Sequence, residues 1–133
     1  MKFLIRFSNL AYALMRMVLA FLFMSHGYQR VFTGPIFPSD FPPLGVANVL
    51  EVILGPLIFL GLFTPIAAVI ASGEMAVAYF LAHVPRGGML PLNNMGEITV
   101  ALSFGFLYIA TRGGGRYSLD AMRGKGEHPV VKV

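Results

Sequence analysis

The chain has no cysteine and no tryptophan, and only six of its 133 residues are acidic. Without cysteine there can be no disulfide, no thiolate metal site and no dithiol relay, so a membrane redox protein working by thiol exchange is excluded on chemical grounds. Without tryptophan, the aromatic anchoring of membrane interfaces falls to Tyr12, Tyr28, Tyr79, Tyr108, Tyr117 and the phenylalanines. Charge of either sign is scarce, at 12% of residues against about a quarter in soluble domains. What is abundant is apolar: 56% hydrophobic residues and a mean hydropathy of +0.73 mark a membrane protein with room for one domain. The net charge of +4 does not point to nucleic acid, because the basic residues flank apolar runs instead of forming a stripe.

Four apolar runs predict transmembrane helices at about 10–31, 44–62, 65–83 and 94–111. The third carries a carboxylate, Glu74, ~14 Å along the helix axis from Pro65, near the middle of a ~30 Å hydrocarbon layer. Such a group is expected to face protein or water, so this helix requires companions that supply polar partners. Candidates are Arg16, Glu51 and Glu97, one in each of the other runs. The N-terminal stretch starts like a secretory signal, with Lys2 and Arg6 ahead of an apolar run. Arg16 interrupts that run and no small-x-small cleavage site follows, so the stretch is expected to stay as the first helix.

Between the runs, residues 33–43 hold four prolines and read as a loop, as does the Pro/Gly stretch after His83. The Gly61–Pro65 connection is short enough to force antiparallel neighbours, with Gly61 as a C-cap and Thr64 as an N-cap ahead of Pro65. Gly113–Gly115 stop the last helix, leaving a basic tail at 112–133 with one short surface turn capped by Ser118. The expected fold is all-α: a polytopic membrane four-helix bundle, antiparallel up-down-up-down. Lys2, Arg6, Arg112, Arg116, Arg123, Lys125 and Lys132 lie on the side of the termini, whereas the long loops hold Arg30 and Arg86, so both termini are expected in the cytoplasm.

Counted from the cytoplasmic face, Arg16 falls at ~9 Å, Glu74 at ~14 Å, Glu51 at ~20 Å, and His26, Glu97 and His83 at roughly 24 to 27 Å. These groups form a ladder expected to look inward across the bundle. Arg16, His26 and Arg30 share one face of helix 1, whereas Glu74 and His83, nine residues apart, point to roughly opposite sides of helix 3. Arg16 and Glu74 could also be a structural pair that fixes helix register. A metal site from Glu51, Glu97, His26 and His83 is disfavoured, because the Glu-x-x-His spacing of di-iron bundles is missing and Arg16 and Arg30 add positive charge. No metal is expected, and no Gly-rich phosphate loop or Ser-His-Asp set stands out.

The succession Arg16, His26-Gly27 with Arg30, Glu51 with Gly55, Gly61-Leu62, Glu74-Met75, His83, Asn94 with Gly96-Glu97, and Gly113–Gly115 followed by Ser118-Leu119-Asp120 resembles the DoxX family of small four-helix membrane proteins. The resemblance covers nearly the whole chain; the family's usual lysine after the His-Gly pair is Arg30 here. It implies a four-span inner-membrane protein. The family includes membrane subunits of quinone-linked thiosulfate oxidoreductases and a member of a redox-defence oxidoreductase complex, and related eukaryotic proteins act as receptor-assembly chaperones.

The leading expectation is therefore a membrane subunit of an electron-transfer assembly holding a quinone or similar small apolar molecule. Ligand-binding or proton-handling candidates are Arg16, His26, Arg30, Glu51, Glu74, His83, Asn94 and Glu97. His or Arg can donate to quinone carbonyls, and a desolvated Glu can pass a proton. Expected partners are the lipid bilayer, a soluble or membrane oxidoreductase subunit and further copies of the chain. The alternative is a non-catalytic assembly factor or anchor whose buried charges fix one packing. Transport by a dimer is a third reading, for which four short helices leave little room.

Overall fold

A computed structural model of the chain describes residues 2–34 and 42–124. Most of the first Pro-rich loop and the end of the basic tail, with Lys125 and Lys132, lie outside the described residues. The described chain is all-helical. Four long helices are α1 (Ser8–Thr33), α2 (Pro42–Leu60), α3 (Thr64–Ala78) and α4 (Glu97–Arg112). α3 runs on through a π-helical turn, Tyr79–His83, into Val84–Gly87. Among the described residues, three helices are long and apolar enough to cross a membrane: α1, α2 and the continuous stretch Thr64–Gly87.

The fourth apolar run differs from expectation. α4 has 16 residues and starts at Glu97 instead of near 94, so it is shorter than the ~20 residues a span requires. The cause is Asn94, which is buried and folds the chain back on itself. Its Nδ2 donates to the Gly88 carbonyl at 2.7 Å, its Oδ1 accepts from the Gly96 amide at 2.9 Å, and Met95 takes up a left-handed φ of 57°.

α1 packs along α2 and α3 along α4. Small residues allow the close approach that membrane helices rely on. A Cβ on Gly55 would overlap Met24, and Ser72 and Ser103 donate to each other's carbonyls at 2.8 and 3.0 Å across α3 and α4. Between the two pairs lies a core of Ile58, Ala67, Ala68, Ala71, Leu102 and Ile109. Phe23 and Phe106 meet edge to face within it, centroids 5.0 Å apart.

One end of the molecule is closed by a clasp. Gly61, at φ +70°, ends α2 in a Schellman arrangement, with the Leu62 amide bonded to the Leu57 carbonyl and the Gly61 amide to Ile58. Asp120 then reaches in from the tail. Its Oδ1 accepts from the Phe63 amide at 2.9 Å, and its Oδ2 from the Thr64 amide at 2.8 Å and the Thr64 hydroxyl at 2.7 Å. The N-cap position of α3 is therefore Phe63, not Thr64, because a residue 56 positions away supplies the capping oxygens. The tail turn does begin with Ser118 as cap, its Oγ accepting from the Ala121 amide at 3.1 Å, but it is packed inward: Ser118 and Asp120 are both buried.

Arg16 completes the clasp. Its guanidinium, 1% exposed, donates to the Ile58 and Phe59 carbonyls at the end of α2 and to the Tyr117 carbonyl of the tail at 2.7 Å. A cation is favoured at a helix C-terminus, where carbonyls lack intrahelical partners. Arg16 is thus not the partner of Glu74. Tyr12, one turn earlier, donates to the Gly113 carbonyl at 2.5 Å and lies under the Arg112 guanidinium, 4.1 Å from the ring centroid.

Burial pushes the Asp120 carboxyl upward, but the hydrogen bonds from Thr64 and Phe63 and the charge of Arg123 outweigh it and hold the group below the usual carboxylate range. A lowered native pKa means stabilisation that is fully present above the unfolded-state value and lost as pH falls through the native one. Replacing the cap is expected to cost about 1–2 kcal/mol near neutrality. Melting of Asp120→Asn beside the parent across acid pH should show a gap that closes as the solution becomes more acidic. A gap that widens in acid would contradict this capping role.

Candidate functional site

At the end away from the clasp, α2 and α3 are separated by a cleft of about 1270 Å3 that the ends of α1 and α4 help to line. Its walls are mostly apolar, with Leu50, Val69, Val77 and Leu102 among them, and polar groups enter from two sides.

On the α1/α2 wall, Glu51 is 2% exposed and both its carboxylate oxygens lie 3.3 Å from Nη1 of Arg30. Gly27 makes this possible. A Cβ there would sit 2.6 Å from Glu51 Cβ and 3.1 Å from its Oε2, so the absence of a side chain on α1 is what lets Glu51 lie flat between the two helices.

On the α3 wall stand Glu74 and His83. Oε2 of Glu74 is buried and makes no hydrogen bond among the described residues; the charges acting on it are the Glu51 carboxylate and the Arg30 guanidinium opposite. Helical spacing places Glu74 and His83 on opposite sides, yet both line the cleft. The π-turn explains the difference. The Val84 amide bonds to the Tyr79 carbonyl five residues back, and this wide turn absorbs one residue, reducing the angular offset from about 180° to roughly 80°. The local cause is Pro85, which has no N–H to continue the i→i−4 ladder.

His83 is held firmly. Its Nδ1 faces the Asn94 carbonyl at 3.1 Å, its Nε2 lies 3.1 Å from the Thr99 hydroxyl, and its ring stacks on Tyr79. A carbonyl only accepts, so Nδ1 carries a proton and donates to Asn94, and Nε2 is paired with the Thr99 hydroxyl.

Of the eight candidates, the cleft thus gathers five: His26, Arg30, Glu51, Glu74 and His83. His26 stands at the rim, exposed, with Nδ1 against the Leu22 carbonyl at 2.7 Å, so it is not an inward-facing group. Asn94 is buried behind the cleft, where it shapes the turn before α4 and presents its carbonyl to His83. Glu97 is exposed in the first turn of α4, a position that suits an acid through the helix dipole and needs no buried partner. Arg16 belongs to the clasp. Sequence reasoning passed over Arg86, exposed at the cleft mouth, and Thr99. It also gave no role to Asp120, whose sign was that it is the one acid among the basic residues of 112–125. No group of three or more His, Asp or Glu among the described residues is placed to hold a metal ion.

The sequence profile of the DoxX family matches residues 11–84, which span Arg16, both walls of the cleft and the π-turn. The chain belongs to the DoxX family. It is 40% identical over 116 residues to an uncharacterized protein of Haemophilus influenzae, covering 81% of this chain and 87% of that one. It is 26% identical over 124 residues to an uncharacterized membrane protein of Mycobacterium tuberculosis, covering 79% of this chain and 76% of the relative. No solved structure gives a significant match. This DoxX-family chain is a membrane protein with several apolar helices.

Proposed function

We propose that this DoxX-family protein is the membrane subunit of a quinone-linked or redox-defence oxidoreductase assembly and holds a small apolar ligand of the quinone type in the cleft between α2 and α3. In this reading it lies in the inner membrane, its four helices alternate in direction, α4 spans with help from the turn before it, and both termini face the cytoplasm. The observation that carries the reading is the cleft itself: a mostly apolar cavity entered by Arg30, Glu51, Glu74 and His83, with one buried oxygen of Glu74 unbonded among the described residues. Ligand pockets are commonly about 300–1,000 Å3, so there is room for a quinone ring and part of an apolar tail.

A bound quinone supplies a two-electron, two-proton couple; the electrons come from or go to a partner protein. The chain's own residues bind, orient and move protons. Glu74 faces the cleft interior and can take up or release a proton there, while the Arg30–Glu51 pair fixes the opposite wall. His83, locked by Asn94 and Thr99, sets the shape of the inner end.

Titrating the protein in lipid nanodiscs with a ubiquinone carrying one isoprenoid unit tests this. Saturable binding is expected, weakened about tenfold or more in Glu74→Leu, which removes the hydrogen-bonding group facing the cleft. No binding by the parent protein would rule the quinone reading out.

The clasp favours a second reading, an assembly factor or anchor, because Arg16 and Asp120 use their hydrogen bonds on backbone groups and a hydroxyl of the chain itself. Under it Glu74→Gln would lower the yield of folded protein as the clasp variants do. Under the ligand reading the yield stays close to that of the parent.

A further inference from the structure

The chain leaves the long helix that begins with α3 and enters α4 at different depths. Gly96, just before α4, is level with Tyr79, whose ring carbon Cε2 lies 2.7 Å from where a Cβ on Gly96 would project. Beyond Tyr79 the helix runs on to Gly87, ~12 Å further from the clasp. Counted from the clasp, the 16 residues of α4 cover only ~24 Å of a ~30 Å hydrocarbon layer. The segment 88–96 therefore descends through the level at which hydrocarbon gives way to head groups.

Its composition and hydrogen bonding suit that level. No charged residue lies between Arg86 and Glu97. Met89, Leu90, Leu92 and Met95 are 64 to 79% exposed, whereas the backbone carbonyls turn to partners inside the protein. Those of Met89 and Gly88 accept from the Tyr79 hydroxyl at 2.5 Å and from Asn94 Nδ2 at 2.7 Å. Those of Leu90 and Pro91 accept from the Asn93 and Gly96 amides at 3.0 and 3.2 Å, and that of Asn94 is taken by His83 Nδ1. Pro91 has no amide hydrogen to satisfy. Non-helical backbone is tolerated at membrane depth only when its polar groups are bonded internally, and here buried Asn94 and Tyr79 supply much of that bonding.

We propose that the segment 88–95 is a lipid-inserted wedge: Met89, Leu90, Leu92 and Met95 enter the acyl chains of the leaflet at the cleft end of the molecule and make up for the turn that α4 lacks. Lipid is the occupant that fits, because the patch is uncharged and continues the exposed apolar surface of Phe80, at the end of α3, and Ile98, at the start of α4. Arg86 and Glu97, exposed on either side of it, are placed where long charged side chains reach the head groups. The proposal rests on α4 crossing the membrane, part of the proposed function, and is independent of what the cleft holds. Met95 and Arg86 also line the cleft, so the wedge forms part of its rim.

Because the chain has no tryptophan, a single introduced one reports alone. Leu92→Trp and Met89→Trp in the full chain, reconstituted into phosphatidylcholine vesicles, are compared with Phe104→Trp, whose site is 68% exposed near the middle of α4. Both wedge variants are expected to show blue-shifted emission and to lose more of it to bromine near the head-group end of the acyl chains than to bromine near the methyl end. Phe104→Trp should show the reverse order. The two wedge positions are read separately, so one variant that fails to fold does not remove the test. Water-like emission that brominated lipid leaves unchanged overturns the wedge. Blue-shifted emission that bromine leaves unchanged also overturns it, since protein, such as a second copy of the chain, would then cover the segment. In either case, quenching of Phe104→Trp leaves the crossing by α4 standing, and its absence overturns both.

Discussion

Arg16→Met should cost this protein about 2 to 4 kcal/mol, enough to reduce sharply the yield of monodisperse protein from the membrane. The methionine fills much of the same volume, so lost packing is a small part of the loss. The larger part comes from the carbonyls that lose their donor, that of Ile58 in a buried contact and those of Phe59 and Tyr117 in partly buried ones. Each unsatisfied buried group costs about 1–3 kcal/mol. Arg16→Lys keeps the charge but has a single ammonium instead of a planar fork, so it cannot serve the end of α2 and the tail with the same geometry and should recover only part of the loss. Thermal unfolding in detergent checks the order: parent, then lysine, then methionine. A methionine variant as stable as the parent would mean that these carbonyls find other donors.

Gly27→Ala is the second substitution with a large expected effect, and here two contributions oppose each other. Alanine is the better helix former by about 1 kcal/mol. Its Cβ, however, would meet Glu51 Cβ at 2.6 Å, a distance that such atoms do not adopt, and the other neighbours within reach include the Asn48 carbonyl at 3.2 Å, which belongs to the backbone and cannot swing aside. Overpacking costs about 1–3 kcal/mol, so the clash outweighs the propensity gain. Glu51 is displaced or α1 and α2 separate, and either movement pulls apart the Arg30–Glu51 pair on the cleft wall. The expected result is lower stability together with a loss of quinone-type ligand binding of about tenfold or more. An alanine variant that binds as the parent does would show that the wall tolerates the shift.

Helix positions were largely legible in the sequence, because long apolar runs bounded by proline and glycine leave little choice. The boundaries that moved did so for side-chain reasons. Asn94 reads as an ordinary helix-starting residue, and nothing in its neighbours announces that its amide folds the chain back and delays α4 to Glu97. The π-turn at Tyr79–His83 is similarly silent apart from Pro85, yet it decides that Glu74 and His83 look into one cleft. Depth counting puts Glu51, His26 and His83 toward one end of the molecule, and all three line the cleft, but such counting does not choose partners. It paired Arg16 with Glu74 by charge, whereas both terminal nitrogens of the guanidinium are taken up by backbone carbonyls. Glu97 was read as buried because it sits in an apolar run, although the first turn of a helix supports an exposed acid.

The division of the charged residues into a clasp at one end and a ligand cleft at the other can be tested directly because the chain has no cysteine. Gly73 lies on the cleft wall beside Glu74, with nothing within 4 Å of where a Cβ would project, whereas Ala68 is fully buried in the core. In nanodiscs, Gly73→Cys should react with a membrane-permeable maleimide and be protected by one-isoprenoid ubiquinone, with Ala68→Cys unreactive throughout. Labelling of Gly73→Cys that the ubiquinone leaves unchanged at concentrations that saturate binding, or no labelling at all, would contradict a ligand cleft between α2 and α3.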